Sequence, residues 1–129
     1  MKQVIRTAAA PAAVGPYSQA VVVDGWLWVS GQIPLDPATG RLLKGDIEAA
    51  TRRVLDNLAA VVEAAGAELD EVVKVTIYLT DLGEFETVNR VYAEYFSGEP
   101  PARACVEVSR LPKGAEVEMD AVARVGRPS

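Results

Sequence analysis

An arginine, a cysteine and a glutamate near the C-terminus have the side chains best suited to chemistry in this 129-residue chain. Arg103 and Cys105 lie in a strand-like run, 101–108, and Glu118 lies in a second run, 116–121. Side chains alternate faces along a strand, so Arg103 and Cys105 project together from the first run. We expect the two runs to form a hairpin across which the arginine can meet the carboxylate.

The chain has no histidine and one cysteine, which narrows the chemistry available to it. Zinc and iron sites draw on several Cys or His ligands, so we expect no metal site. A carboxylate is then the only strong base for proton transfer near neutral pH. Cys105 has no histidine to activate it as a nucleophile, so a buried position in the lining of a pocket is favoured.

Composition and charge narrow the classes of partner. The chain carries 13 Lys and Arg against 18 Asp and Glu, a net charge of -5, so binding to nucleic acid is disfavoured. No apolar run approaches the roughly 20 residues of a membrane helix, and the first residues lack a signal-peptide core. We therefore expect a cytoplasmic protein without a membrane partner, folded as a single domain over residues 1–129.

Hydrophobic periodicity predicts the order strand, strand, helix, strand, helix, strand, strand. The predicted segments are strands 17–23 and 26–30 around Asp24-Gly25, a helix over 46–65 capped by Asp46, a strand over 72–79, a helix over 83–96, and the two closing runs. In the third strand the side chains expected on one face are Val73, Val75, Ile77 and Leu79. In the second helix the expected apolar side comprises Phe85, Val88, Tyr92, Tyr95 and Phe96.

This order of elements predicts an α+β fold in which two helices cover one face of a single sheet. The remaining face presents apolar and aromatic groups among polar ones, and an exposed patch of that kind usually marks an interface. We expect identical subunits to cover this face, most simply in a cyclic oligomer.

Six segments, in their order and spacing, resemble the RidA/YjgF family of reactive-intermediate deaminases over nearly the whole chain. They are GPYSQA (15–20), VSGQIP (29–34), NL (57–58), VN (88–89), PAR (101–103) and LPKGAEVE (111–118). The resemblance implies a chorismate-mutase-like α+β fold, a homotrimer, and a ligand site in each cleft between neighbouring subunits. It also implies cofactor-free hydrolysis of 2-imino acids and their enamine tautomers, such as 2-iminobutanoate and 2-iminopropanoate, to 2-oxo acids and ammonia.

The resemblance also implies functions for residues that match the family motifs. Arg103 would bind the substrate carboxylate, and Glu118 would position and deprotonate water. The implied substrate-binding set is Tyr17, Ser30, Gly31, Asn89, Arg103 and Cys105. The chain departs from the family pattern at Asp120, where many relatives carry glutamate, and in the short 97–101 connection; neither departure touches the implied catalytic residues.

Other functions stay open at this point. A trimer could bind small carboxylic acids in the same clefts without turnover, although such a binder gains nothing from Glu118 near its anionic ligand. Endoribonuclease or translation-inhibitor activity has also been attached to this family, and the negative net charge and missing histidine argue against it. Taken alone, Arg103 could form a surface ion pair and Glu118 could be a solvated strand carboxylate.

Overall fold

The computed structural model describes residues 1–125, which form a six-stranded mixed sheet with two α-helices packed on one face. The strands are β1 (Gln3–Ile5), β2 (Ala20–Val23), β3 (Trp26–Gln32), β4 (Val72–Leu79), β5 (Ala102–Glu107) and β6 (Val117–Arg124). The helices are α1 (Ile47–Ala64) and α2 (Phe85–Tyr95). The predicted α+β fold class is confirmed.

The strand order across the sheet is β1-β2-β3-β6-β4-β5, and neighbouring strands are antiparallel except for β4 and β5. The expected hairpin between β5 and β6 is therefore wrong, because β4 lies between them and pairs with both. A strand parallel to its predecessor needs a long crossover connection, and α2 supplies that connection between β4 and β5.

Two local predictions are confirmed by the backbone. The carboxylate of Asp46 accepts a hydrogen bond from the backbone N–H of Ala49 at 3.1 Å and so caps α1. Asp24 and Gly25 both have positive φ, 52° and 81°, as a two-residue turn between β2 and β3 requires.

Within residues 1–125, no helix combines the length and apolar character needed to cross a membrane.

Three details of the structure differ from prediction. The register of β4 against β6 shifts between Val72 and Lys74, so Val72 is buried and Val73 is 41% exposed, against the prediction for Val73. In α2 the fully buried Val91 was missing from the predicted apolar side. The three-residue strand β1 was also not predicted, since it is too short to show a period.

The sheet face turned away from the helices, called the outer face below, carries large apolar side chains. Trp26, Trp28 and Val106 are 38%, 52% and 42% exposed. Trp28 pairs with Val122 of β6, so apolar groups continue across neighbouring strands. The outer face has the mixed apolar and polar character expected from the sequence, and its cover by identical subunits stays a prediction.

Asn57 attaches the segment that follows β3 to helix α1. Its side chain is fully buried, and its amide nitrogen donates hydrogen bonds to the carbonyl oxygens of Leu35 at 2.9 Å and Ile33 at 3.2 Å. Its side-chain oxygen accepts a hydrogen bond from Arg53 Nε at 3.2 Å. These bonds fix the path of the chain as it leaves the sheet.

Replacing Asn57 with alanine should lower the free energy of unfolding by about 1–3 kcal/mol, because two carbonyl oxygens in a buried region lose their donor. Urea unfolding measures the change. Glu63→Ala, at an exposed position of the same helix, is the control and should stay within about 0.5 kcal/mol of the wild type. Equal losses in the two variants would contradict the anchoring role of Asn57.

Candidate functional site

A cavity of about 430 Å³ opens where β3 runs beside β6. Four of the residues implicated by the sequence line it, namely Tyr17, Ser30, Gly31 and Glu118. Its remaining walls are mostly apolar, with a few polar groups: Pro11, Ala12, Val14, Gln19, Gln32, Ile33, Leu35, Pro112 and Lys113. An apolar cavity with a few converging polar groups is the usual form of a small-molecule site.

Glu118 and Gly31 are packed directly against each other in this cavity. The pairing of β3 with β6 is irregular between Val29 and Gln32, a bulge that contains Gly31. A Cβ atom at position 31 would lie 2.8 Å from Cδ of Glu118 and would overlap the carboxylate. Glycine is therefore needed at position 31 for the Glu118 side chain to lie across the backbone of β3.

A second layer of polar contacts holds the cavity wall. The Ser30 hydroxyl donates to the carbonyl oxygen of Ser18 at 2.5 Å, which leaves its oxygen free to accept a bond. Gln19 is buried, and its amide nitrogen donates to the carbonyl of Pro11 at 2.8 Å while its oxygen accepts from the backbone N–H of Thr7 at 2.7 Å. Sequence reasoning assigned Gln19 no function, although it stands inside the GPYSQA segment.

Glu118 is half-buried, and no group within residues 1–125 donates a hydrogen bond to its carboxylate. Burial raises the pKa of Glu118, and the charge of Asp120, two residues further along the same face, raises it further. Asp120 itself accepts a hydrogen bond from the Tyr78 hydroxyl at 2.9 Å. A carboxyl group with a raised pKa and free oxygens is suited to proton exchange with a ligand or a water molecule.

Arg103 lies in a different cavity, of about 320 Å³. Its Nη1 donates a hydrogen bond to Oδ1 of Asn89 at 2.6 Å. Its guanidinium carbon is 4.9 Å from the ring centre of Tyr92 and 5.6 Å from that of Phe85, distances at which a cation is attracted to a ring. The guanidinium is thus oriented before any ligand arrives. The lining residues of this cavity are Asn89, Tyr92, Ala93, Phe96, Pro100, Pro101 and Arg103.

Tyr92, which lines this second cavity, has a hydroxyl group in an unusual environment. Its hydroxyl is buried and has no hydrogen-bond partner within residues 1–125. Burial raises the pKa of Tyr92 to about 12, against the opposing effect of the nearby Arg103 charge. The phenol therefore stays neutral, and its ring presents a flat surface to the guanidinium.

The two cavities lie on opposite faces of the sheet. Arg103 pairs in register with the buried Val75 and so faces the helices, whereas Glu118 pairs with Tyr78 and faces outward. The expected meeting of Arg103 and Glu118 across a hairpin is therefore wrong within one chain. The structure groups Tyr17, Ser30 and Gly31 with Glu118, and groups Asn89 with Arg103.

Cys105 lies on the helix-facing side of β5, in register with Ile77. It is partly buried against the core and lines neither of the two cavities. Burial raises the pKa of the Cys105 thiol, and the nearby charge of Arg103 lowers it by a smaller amount. A thiol with a raised pKa is a poor nucleophile near neutral pH.

Glu118→Gln should stabilise the folded protein at neutral pH. Because the pKa of Glu118 is raised on folding, the stability linked to its proton is present below the ordinary carboxyl pKa and is lost as the pH rises through the raised value. The gain in unfolding free energy from the substitution should therefore be larger at about pH 7 than at about pH 4. Urea unfolding at both pH values measures it.

Glu99→Gln removes an equal charge at an exposed position and is the control. The gain in unfolding free energy from Glu99→Gln should not be larger at about pH 7 than at about pH 4. A stability of Glu118→Gln below that of the wild type at neutral pH would show that the carboxylate has a stabilising partner.

The structure is thus that of an α+β protein with a cavity on each face of its sheet. A family model described as Endoribonuclease L-PSP matches residues 7–125. The RutC family protein of Pyrococcus abyssi is 55% identical over 122 residues, covering 95% of this chain and 96% of that protein. The human 2-iminobutanoate/2-iminopropanoate deaminase is 45% identical over 126 residues, covering 98% and 92%.

Solved structures agree with these sequence relations. A putative endoribonuclease from Thermotoga maritima superposes with a TM-score of 0.95 at 51% identity, covering 99% of this chain and 100% of that chain. The structure of E. coli TdcF with bound serine superposes with a TM-score of 0.92 at 39% identity, covering 96% and 99%. The chain belongs to the RidA/YjgF family.

Proposed function

We propose that this protein hydrolyses 2-imino acids, such as 2-iminobutanoate and 2-iminopropanoate, to 2-oxo acids and ammonia. The observation that carries the proposal is the pair of complementary half-sites: a carboxylate with free oxygens in an apolar cavity, and an oriented guanidinium in another. The deaminase names of the bovine and human relatives support the same substrate class. E. coli TdcF with bound serine supports an amino-acid-like ligand.

The proposed active site forms between two copies of the chain. One chain cannot bring Arg103 and Glu118 to the same small molecule, because the two side chains leave opposite faces of the sheet. The exposed apolar groups of the outer face favour cover by a second copy. In a closed homotrimer with head-to-tail interfaces, the Arg103 half-site of each copy would meet the Glu118 half-site of the next.

Arg103 would bind the substrate carboxylate, since a planar guanidinium offers two parallel N–H donors to it. Asn89 and the aromatic rings would keep that donor pair aimed at the ligand. The Tyr17 phenol, the Ser30 oxygen and the backbone at Gly31 would contact the rest of the molecule. Much of the rate would come from holding the imine carbon and a water molecule in place.

Glu118 would act first as a base and then as an acid. Its ionised carboxylate takes a proton from water as the water oxygen bonds to the carbon of the protonated imine, and the C=N electron pair moves to nitrogen. The carboxyl then returns its proton to the amino group, and the C–N bond breaks with its electrons leaving on ammonia. The hydroxyl proton passes to the departing ammonia as the carbonyl of the 2-oxo acid forms, which gives ammonium and leaves Glu118 ionised for the next cycle. A raised pKa suits a group that performs both transfers.

Subunit mixing tests the shared site. Arg103→Ala and Glu118→Ala should each abolish the acceleration of ammonia release from imines generated by a dehydratase, because one lacks the anchor and the other the base. Equal amounts of the two variants are then unfolded and refolded together. In randomly mixed rings, about a quarter of the head-to-tail interfaces would combine an intact Arg103 with an intact Glu118. Recovery of about that share of wild-type activity is expected.

Three results would contradict parts of this proposal. An inactive mixture would contradict the shared site. Wild-type protein that binds 2-oxobutanoate yet does not accelerate ammonia release from the imine would favour a carboxylate-binding trimer without turnover. A light-scattering mass equal to the 13.7 kDa of one chain would contradict the trimer.

Cys105→Ala should keep most of the deaminase activity. Its thiol has a raised pKa and lies outside both cavities, so its removal costs packing and no reacting group. Steady-state kinetics beside Arg103→Ala measures the difference. A loss as complete as that of Arg103→Ala would show that the sulfur takes part in the reaction.

A further inference from the structure

Lys113 adopts a backbone conformation that lysine disfavours. Its φ and ψ are 59° and 15°, the left-handed region, in the turn Pro112–Gly114 between β5 and β6. A residue with a long side chain is strained there, whereas glycine is not and asparagine is less so. The path of the backbone therefore gives no reason for lysine to occupy this position.

No contact within the fold supplies that reason. Lys113 is exposed and forms no ion pair or side-chain hydrogen bond with any group in residues 1–125. The neighbouring cation Lys44 lies beside Gly114 of the same turn and lines a different cavity. Backbone strain that no contact within the fold compensates is typical of residues in functional sites.

Lys113 lines the cavity that contains Glu118. Among the described residues that line this cavity, Lys113 is the positive group and Glu118 the negative one. An anionic substrate entering here would be repelled by Glu118 and by Asp120 beside it. A cation on the same wall would offset that repulsion and leave the base in place.

We propose that Lys113 binds the carboxylate of the 2-imino acid from the Glu118 side of the shared cleft, as a second cationic contact besides Arg103. A carboxylate has about four lone-pair sites, so it can accept from a guanidinium and an ammonium together. This assignment rests on the proposed deaminase function and adds a specificity-determining residue to it. The same contact would hold the 2-oxo acid product, which keeps the carboxylate.

The test compares Lys113→Asn with Lys113→Arg and with the matched control Lys44→Asn, which removes an equal charge beside the turn. Lys113→Asn should raise KM for the imine, and the calorimetric Kd for 2-oxobutanoate, by about 5- to 30-fold, the loss of one charge-assisted contact. Its kcat should change little, because Glu118 and Arg103 remain. Lys113→Arg should recover most of the affinity, and Lys44→Asn should match the wild type.

Thermal stability provides the second readout. Lys113→Asn should melt at or above the wild-type temperature, because asparagine accepts positive φ more readily than lysine. A lower melting temperature, or equal losses of affinity in Lys113→Asn and Lys44→Asn, would overturn the assignment.

The two proposals fail in distinguishable ways. Wild-type protein without deaminase activity would defeat the proposed function, and a Lys113-dependent Kd for 2-oxobutanoate would still support the anion contact. Active wild-type protein with unchanged KM and Kd in Lys113→Asn would defeat the Lys113 assignment alone.

Discussion

The position of β4 between β5 and β6 is the constraint on which the rest of the site depends. Each neighbour is hydrogen-bonded to β4 in a fixed register, with Arg103 beside Val75 and Glu118 beside Tyr78. Side chains at these two positions of β4 leave opposite faces, and no rotamer change carries a group through a sheet. The guanidinium of Arg103 and the carboxylate of Glu118 are thus kept apart in a single chain. Their separation is a property of the topology and survives any local rearrangement of side chains.

The environment of Glu118 shows how the fold retains a group that does not stabilise it. A half-buried carboxylate without a hydrogen-bond donor, next to a second negative charge, is an unfavourable arrangement for the folded state. The surrounding structure holds it nevertheless. Gly31, in the β3 bulge, leaves space for the carboxylate, while Gln19 holds the loop at Pro11 that lines the same cavity. The hydrogen bonds of Gln19 beside the same cavity act in the opposite direction and favour the folded state.

Sequence reasoning succeeded where local chemistry decides the structure. The Asp46 cap, the Asp24-Gly25 turn and the α1 periodicity each follow from a few neighbouring residues. It failed where partners distant in sequence decide. Periodicity reports which face a strand residue occupies and says nothing of which strand lies alongside, so the β5–β6 hairpin was wrong. The exposure of Val73 depends on a bulge against β6 that no pattern within β4 reveals.

For the candidate site residues, too, the sequence identified the side chains but not how the strand order arranges them. The family resemblance selected Tyr17, Ser30, Gly31 and Glu118, which do line one cavity, and the pair Asn89 and Arg103, which do line another. The resemblance could not separate the two groups, since that requires the strand order. Gln19 was overlooked because its contribution consists of bonds to backbone atoms of a loop, which side-chain types do not disclose.

If the exposed tryptophans of the outer face are covered by a second copy, they would link the proposed catalysis to the amount of protein present. If the active site exists only where two copies touch, the concentration of sites follows the association equilibrium and falls more steeply than the concentration of chains on dilution. Specific activity would then decline below the dissociation constant of the assembly. In a cell that made little of this protein, the activity per chain would be low. In a cell that made much of it, the activity per chain would be nearly constant.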